Sequence, residues 1–237
     1  MNHHERLLKL FIKILVAVVI EIAYAVLTRG WLRSQLAGVE LELVITVFRL
    51  VTAGAYWLLF RDLILGRYRS PGAMRHPLII TGVIVMLLIP FLFQGWDPGG
   101  GPFVSLVFAL TSIIVGLREE MLYRAVLFNL LEHRIGTFRT LLVSTALFVV
   151  YHYGALPFTP LILTEIVCLS LILGLIYLKT GSLFIVIVLH SGYDAIWFFG
   201  PYIDMPLPDN YRPAFLVPAL FLVFLGTWRF GINKESI

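Results

Sequence analysis

Three short patterns in this chain put ionisable side chains at helical spacing. They are Glu119-Glu120 with Arg124 in REEMLYRAVLF (118–128), Phe148 with His152 in FVVYH (148–152), and His190 with Asp194 in HSGYD (190–194). On a helix, residues four apart share a face. Glu120 can therefore pair with Arg124, whereas Glu119 points ~100° away round the axis. His190 and Asp194 face the same way, and Phe148 can pack beside the His152 imidazole. A carboxylate beside an imidazole can take a proton from water and make it nucleophilic at an amide carbonyl. A second imidazole, donating a hydrogen bond, can hold the oxyanion that develops. These parts suffice for peptide hydrolysis without a covalent intermediate. An acyl-enzyme route has less support: no serine lies in G-x-S-x-G, and the single cysteine, Cys168, has no base next to it in sequence.

The surroundings of these groups are apolar. Of 237 residues 59% are hydrophobic and 14% charged, and the mean hydropathy is +0.92. A soluble domain carries about 25% charged residues, so the surplus of apolar residues here must face lipid. Aromatics at 14% suit interfacial belts. The net charge of +4 sits in short loops between apolar runs, which the positive-inside rule explains without a nucleic-acid partner.

The apolar runs predict an all-α integral membrane protein, a bundle of about eight transmembrane helices forming a single polytopic domain over 1–237. The expected spans are Leu10–Leu27, Leu41–Phe60, Pro77–Trp96, Phe103–Leu131, Phe138–Tyr153, Pro160–Leu178, Leu183–Phe199 and Ala214–Phe230. WDPGGGP (96–102) and KTGS (179–182) read as turns, with Gly181 placed to end a helix, and 201–213 as a proline-rich loop. Ala23-Tyr24-Ala25 has the form of a signal-peptidase site, but the stretch is long for a leader and holds Lys13 and Glu21, so it reads as a span. With the N-terminus inside, Arg6, Lys9, Arg61, Arg67, Arg69, Arg75, Arg134, Arg139, Lys179, Arg229 and Lys234 are inner, and Arg29, Arg33 and Arg212 outer. That bias predicts cytoplasmic N- and C-termini.

A charge at membrane depth costs about 2.5–3.5 kcal/mol on insertion scales, so buried ionisable groups mark function by default. Counted from the inner ends, Glu119 and His152 lie ~20 Å deep and His190 and Asp194 ~12–18 Å. Similar depth on three helices predicts one shared polar site. Glu21, Arg49 and Glu165 fall in spans without a motif. The simplest expectation is that Glu21 or Glu165 pairs with Arg49 across helices.

The three motifs, in this order and on successive apolar segments, resemble the CPBP family, which comprises the CAAX prenyl endopeptidases and the bacteriocin-processing or bacteriocin-immunity (Abi) membrane proteins. The resemblance covers about residues 103–200. It implies a glutamic-type intramembrane endopeptidase in a prokaryotic inner or plasma membrane, acting on a membrane-associated or lipidated protein or peptide. It also implies that Glu119 and His152 activate water, that His190 and Asp194 form the oxyanion side, and that Glu120 and Arg124 support Glu119. No cofactor is expected.

The last motif position is Asn in the prenyl-protease branch and Asp194 here. An ionised Asp cannot donate to an oxyanion, so Asp194 is either protonated or orients His190, and the second is its expected role. Arg118 could compete for Glu119, and Tyr123, four residues after Glu119, is a further expected hydrogen-bond partner. Other readings stay open. Glu119, His152 and His190 could be zinc ligands around an open position, although the chain has no H-E-x-x-H. A catalytically silent immunity or scaffold protein of the same fold would not need all the motif residues. A proton-coupled transporter would also use buried Glu, His and Asp, but no inverted repeat is visible.

Overall fold

A backbone in lipid has to satisfy its own hydrogen bonds, and the helix does this within each segment. The computed structural model describes residues 3–65, 88, 100–153, 155, 156, 159–199 and 212–231, and among these there is no named strand. We label the helices in chain order. Helix α1 comprises His3–Ala25, continues as a π-helix over Val26–Leu32 and ends with Arg33–Gln35. Helix α2 is Gly38–Leu65. Helix α3 is Pro102–Glu120, a π-helical Met121–Val126 and then Leu127–Ile135. Helix α4 is Thr137–His152, α5 Pro160–Thr180, α6 Leu183–Phe199 and α7 Arg212–Gly231.

Every described span is a helix where the apolar runs place one. Several run past the apolar stretch, as at Gln35, Leu65 and Ile135, because backbone bonding continues through polar residues at the ends. Among the described residues four helices, Leu8–Gln35, Gly38–Leu65, Pro102–Ile135 and Pro160–Thr180, are long and apolar enough to cross a membrane, while Thr137–His152, Leu183–Phe198 and Leu216–Leu225 are shorter apolar helices. The expected span at 77–96, residue 88 apart, and the loop at 201–211 lie outside the described residues. Among the described residues the chain is thus all-helical, with the apolar helices of an integral membrane protein.

Local sequence sets the helix ends near the site. Gly101, at φ 83°, precedes Pro102 at the start of α3, where proline's missing N–H costs nothing. Thr159 accepts a hydrogen bond from the Ile162 N–H and caps α5. Gly181 ends α5 in the left-handed region at φ 61°, and its N–H donates to the Tyr177 carbonyl at 2.8 Å.

Helix α5 is the central one: 67% of its most apolar stretch is buried, against 11% for α1. Its Ile172, Leu173, Ile176 and Tyr177 pack with Leu141, Val186, Leu189, Leu216 and Leu220. A second cluster joins α1, α2, α3 and α4 through Ala17, Tyr56, Phe60, Met121, Tyr123 and Phe148. Leu8, Phe11, Leu15, Val19 and Ile22 of α1 are exposed, the inverted pattern that lipid allows.

Helices α3 and α6 come close together at Gly116. A Cβ there would lie 2.3 Å from Ser191 Oγ and 3.2 Å from the Ile187 carbonyl oxygen. The missing side chain lets the two backbones meet, and this crossing sets the Glu119 region of α3 against His190 of α6.

Candidate active site

The π-helical segment begins directly after Glu120 and carries Tyr123 and Arg124. A π-turn widens the helix by one residue per turn and is common at functional sites. Here it lies in the middle of the motif that holds both glutamates.

The structure gathers Glu119, His152 and His190, from α3, α4 and α6. Glu119 is 5% exposed, and its Oε2 lies 3.8 Å from His152 Nε2 and 3.9 Å from His190 Nε2. That oxygen is buried without a hydrogen-bond partner. An unsatisfied buried carboxylate oxygen is expensive, and it faces the reactive nitrogen of two imidazoles.

Each imidazole is fixed through its other nitrogen. His152 Nδ1 lies 2.8 Å from the Phe148 carbonyl oxygen. A carbonyl only accepts, so Nδ1 carries the proton, and in the neutral ring the lone pair is on Nε2, toward Glu119. The Phe148 ring packs on His152 at 4.5 Å and edge-on to His190 at 6.0 Å. One residue thus sets the tautomer of the first histidine and fills the space between both.

His190 Nδ1 lies 2.8 Å from Glu120 Oε1, a contact that sequence reasoning missed. Glu119 and Glu120 point to different sides of α3, as helical geometry requires, yet the two nitrogens of one ring span that difference. Glu120 Oε2 also lies 3.1 Å from Arg124 Nε, and both side chains are fully buried. The N–H there is not aligned for a hydrogen bond, so the pair is held by charge. Arg124 spends its other donors on Ser144 and Ser170, at 3.0 and 3.1 Å.

Two expectations need correction, those for Tyr123 and Arg49. Asp194 was expected to orient His190, and its Oδ2 lies beside that ring, 3.5 Å from Nε2, while Glu120 occupies Nδ1. Spacing alone could not show which nitrogen Asp194 meets. Tyr123 does not bond Glu119; its ring packs edge-on against Phe148 at 5.1 Å, because the π-turn alters the i,i+4 register. Arg49 pairs with neither Glu21 nor Glu165, but with Glu42 one face along its own helix. Glu42 also accepts from Thr111 Oγ1 at 2.7 Å, and Glu165 accepts from Tyr193 OH at 3.0 Å.

Arg118 does not turn to Glu119. Fully buried, it donates to both oxygens of Glu21, to Thr52 Oγ1 at 3.0 Å and to Tyr151 OH at 2.7 Å. Its guanidinium also lies over the Tyr24 ring, 3.9 Å from the centroid. Arg29 of α1 donates to the carbonyls of Tyr151 and Tyr153 at the end of α4. The signal for this network was the presence of Glu21 and Arg118 in apolar runs. Their partnership, 97 residues apart, was not readable from spacing.

His152 and Asp194, with side chains 15% and 29% exposed, lie at the accessible rim, while Glu120 and Arg124 form the closed floor. Tetrahedral zinc ligands lie ~3.3–3.5 Å from one another, closer than the two histidine nitrogens are to Glu119 Oε2. Among the described residues no three His, Cys, Asp or Glu side chains form a group that could hold a metal ion. No step below runs through a metal.

No curated protein and no solved structure matches the chain. Residues 100–196, the segment that carries all three motifs, match the family model Rce1-like, described as Type II CAAX prenyl endopeptidase Rce1-like.

Proposed function

We propose that the protein is an intramembrane endopeptidase that hydrolyses a peptide bond of a membrane-associated or lipidated substrate with water activated by Glu119 and His152. The observation that carries this reading is the buried, unpartnered Glu119 Oε2 facing Nε2 of His152 and of His190 at 3.8 and 3.9 Å. A water between Glu119 and His152 gives up a proton to this pair as its oxygen attacks the scissile carbonyl. The carbonyl π-electrons move to oxygen. His190, doubly protonated and steadied at Nδ1 by Glu120, donates Nε2–H to that oxyanion. Collapse of the tetrahedral intermediate breaks the C–N bond, and the proton taken from water goes to the leaving amine. The products are a carboxylic acid and an amine, and no covalent enzyme intermediate forms. Asp194 sits beside Nε2 at the rim, where its charge steadies His190 in the resting site.

The family description names a CAAX prenyl endopeptidase, so the substrate class we propose is a peptide with a lipidated cysteine near its C-terminus, entering from the bilayer. The chain crosses the membrane eight times in this reading, with both termini cytoplasmic, and membrane lipids are its solvent. The test uses a fluorogenic peptide carrying an S-farnesyl cysteine three residues from its C-terminus, with wild-type and Glu119→Gln protein in nanodiscs. Comparative proteomics of wild-type and Glu119→Gln membranes extends the test to native substrates. Cleavage by wild type alone supports the reading; equal cleavage by both removes Glu119 from the chemistry.

A further inference from the structure

Arg118 is next to Glu119 in the chain, and Tyr151 is next to His152. The Arg118–Tyr151 hydrogen bond, at 2.7 Å, therefore lies one residue from the proposed reacting pair. Arg118 is 1% exposed, and a buried guanidinium needs a counter-charge. Two carboxylates could supply it. Glu21 of α1 does so, with Arg118 Nη2 2.5 and 2.7 Å from its two oxygens. The Tyr56 hydroxyl of α2, itself fully buried, also donates to Glu21 and holds it in place. The other candidate is Glu119. Neighbouring side chains on a helix do reach each other in this protein: Arg61 Nε lies 3.7 Å from Asp62 Oδ1 on α2. Glu119 nevertheless keeps its Oε2 unpartnered.

We infer that Glu21 is a positioning residue: by engaging Arg118 it keeps that guanidinium off Glu119 and leaves the Glu119 carboxylate available to water. The inference rests on the proposed role of Glu119. It goes beyond that role by giving α1, which lies outside the Rce1-like segment at 100–196, a part in setting up the site. Without Glu21, Arg118 is a buried unpaired charge, and Glu119 is the carboxylate next to it in the chain. Pairing there quenches the base, although the fold can stay intact.

The test reads Glu119 directly, without substrate. Dicyclohexylcarbodiimide modifies carboxyl groups in apolar surroundings, and tandem mass spectrometry distinguishes adducts at Glu119 and Glu120. We expect modification of Glu119 in wild type and in Glu21→Asp. In Glu21→Gln it falls at least ~10-fold, because an ion-paired carboxylate is withheld from the reagent. In Glu21→Gln with Arg118→Gln it returns, since no cation remains to capture Glu119. A merely structural role for Glu21 predicts no such return. The milder Tyr56→Phe, which removes the hydroxyl holding Glu21, lowers modification partway and serves if Glu21→Gln is poorly folded. Equal modification of Glu119 in wild type, Glu21→Gln and Tyr56→Phe overturns the inference, as does a double variant no more modified than Glu21→Gln. Loss of cleavage in Glu119→Gln reports on the protease reading alone, so the two can fail separately.

Discussion

His190 Nδ1 and Glu120 Oε1 lie 2.8 Å apart, and the same carboxylate faces Arg124 with its other oxygen at 3.1 Å. Glu120 thus links a buried cation to the imidazole that faces Glu119. Removing Arg124 strands that carboxylate, and breaking a buried pair from one side costs about 3–5 kcal/mol. Arg124→Ala is expected to lower folded yield, measured by fluorescence-detected size-exclusion chromatography. The charge-swapped pair Glu120→Arg with Arg124→Glu should recover part of that yield but no activity, because His190 Nδ1 then meets a guanidinium. Full activity in the swapped variant would show that Glu120 serves only Arg124.

Glu119→Gln keeps size and shape and removes the base. Cleavage should fall by at least ~10², while the folded protein persists because a neutral amide is cheaper to bury than a carboxylate. His152→Ala should fall comparably through the same step. His190→Ala should lose ~10²–10³ through the oxyanion. Cleavage of the farnesylated peptide in nanodiscs measures all three.

Gly116 and Gly54 make a paired test of backbone approach. A Cβ at Gly116 meets Ser191 Oγ at 2.3 Å, whereas one at Gly54 meets nothing within 4 Å. Gly116→Ala should destabilise by about 1–3 kcal/mol through overpacking, and should lower activity by shifting α6 and with it His190. Gly54→Ala should be neutral or slightly stabilising, since alanine is the better helix former. Thermal unfolding in detergent, read beside cleavage, separates the outcomes.

Metal content separates the two sets of roles for the same side chains. Water activation by Glu119 and His152 predicts activity that survives a strong chelator, and no stoichiometric zinc after purification. About one zinc per chain, lost alike in Glu119→Gln, His152→Ala and His190→Ala, would make those residues ligands and sink the mechanism.

Topology is checked by reporter fusions. A fusion after Glu235 and one within 201–212 should report opposite sides of the membrane, with the C-terminal one cytoplasmic. The same side for both would change the number of spans.

Much of this protein was legible in its residues. Apolar runs of membrane length gave the helices, because lipid leaves the backbone few alternatives. Gly181 marked an end through its freedom to take a positive φ, and Pro102 through its fixed one. The motif spacings placed Glu120 with Arg124 and Phe148 with His152, since those contacts lie within one helix, where distance along the chain fixes distance in space. Contacts between helices were not fixed in that way. That Glu120 holds His190, that Arg118 turns to Glu21 and that Asp194 meets Nε2 depend on how α1, α3, α4 and α6 cross. Those crossings are set by close approaches such as Gly116 on Ser191 and by the π-turn at Met121–Val126, which shifts every later side chain around its axis. Sequence determined which groups are buried and costly. The tertiary structure decided which of them satisfy one another, because a buried charge takes as its partner whatever packing brings within reach.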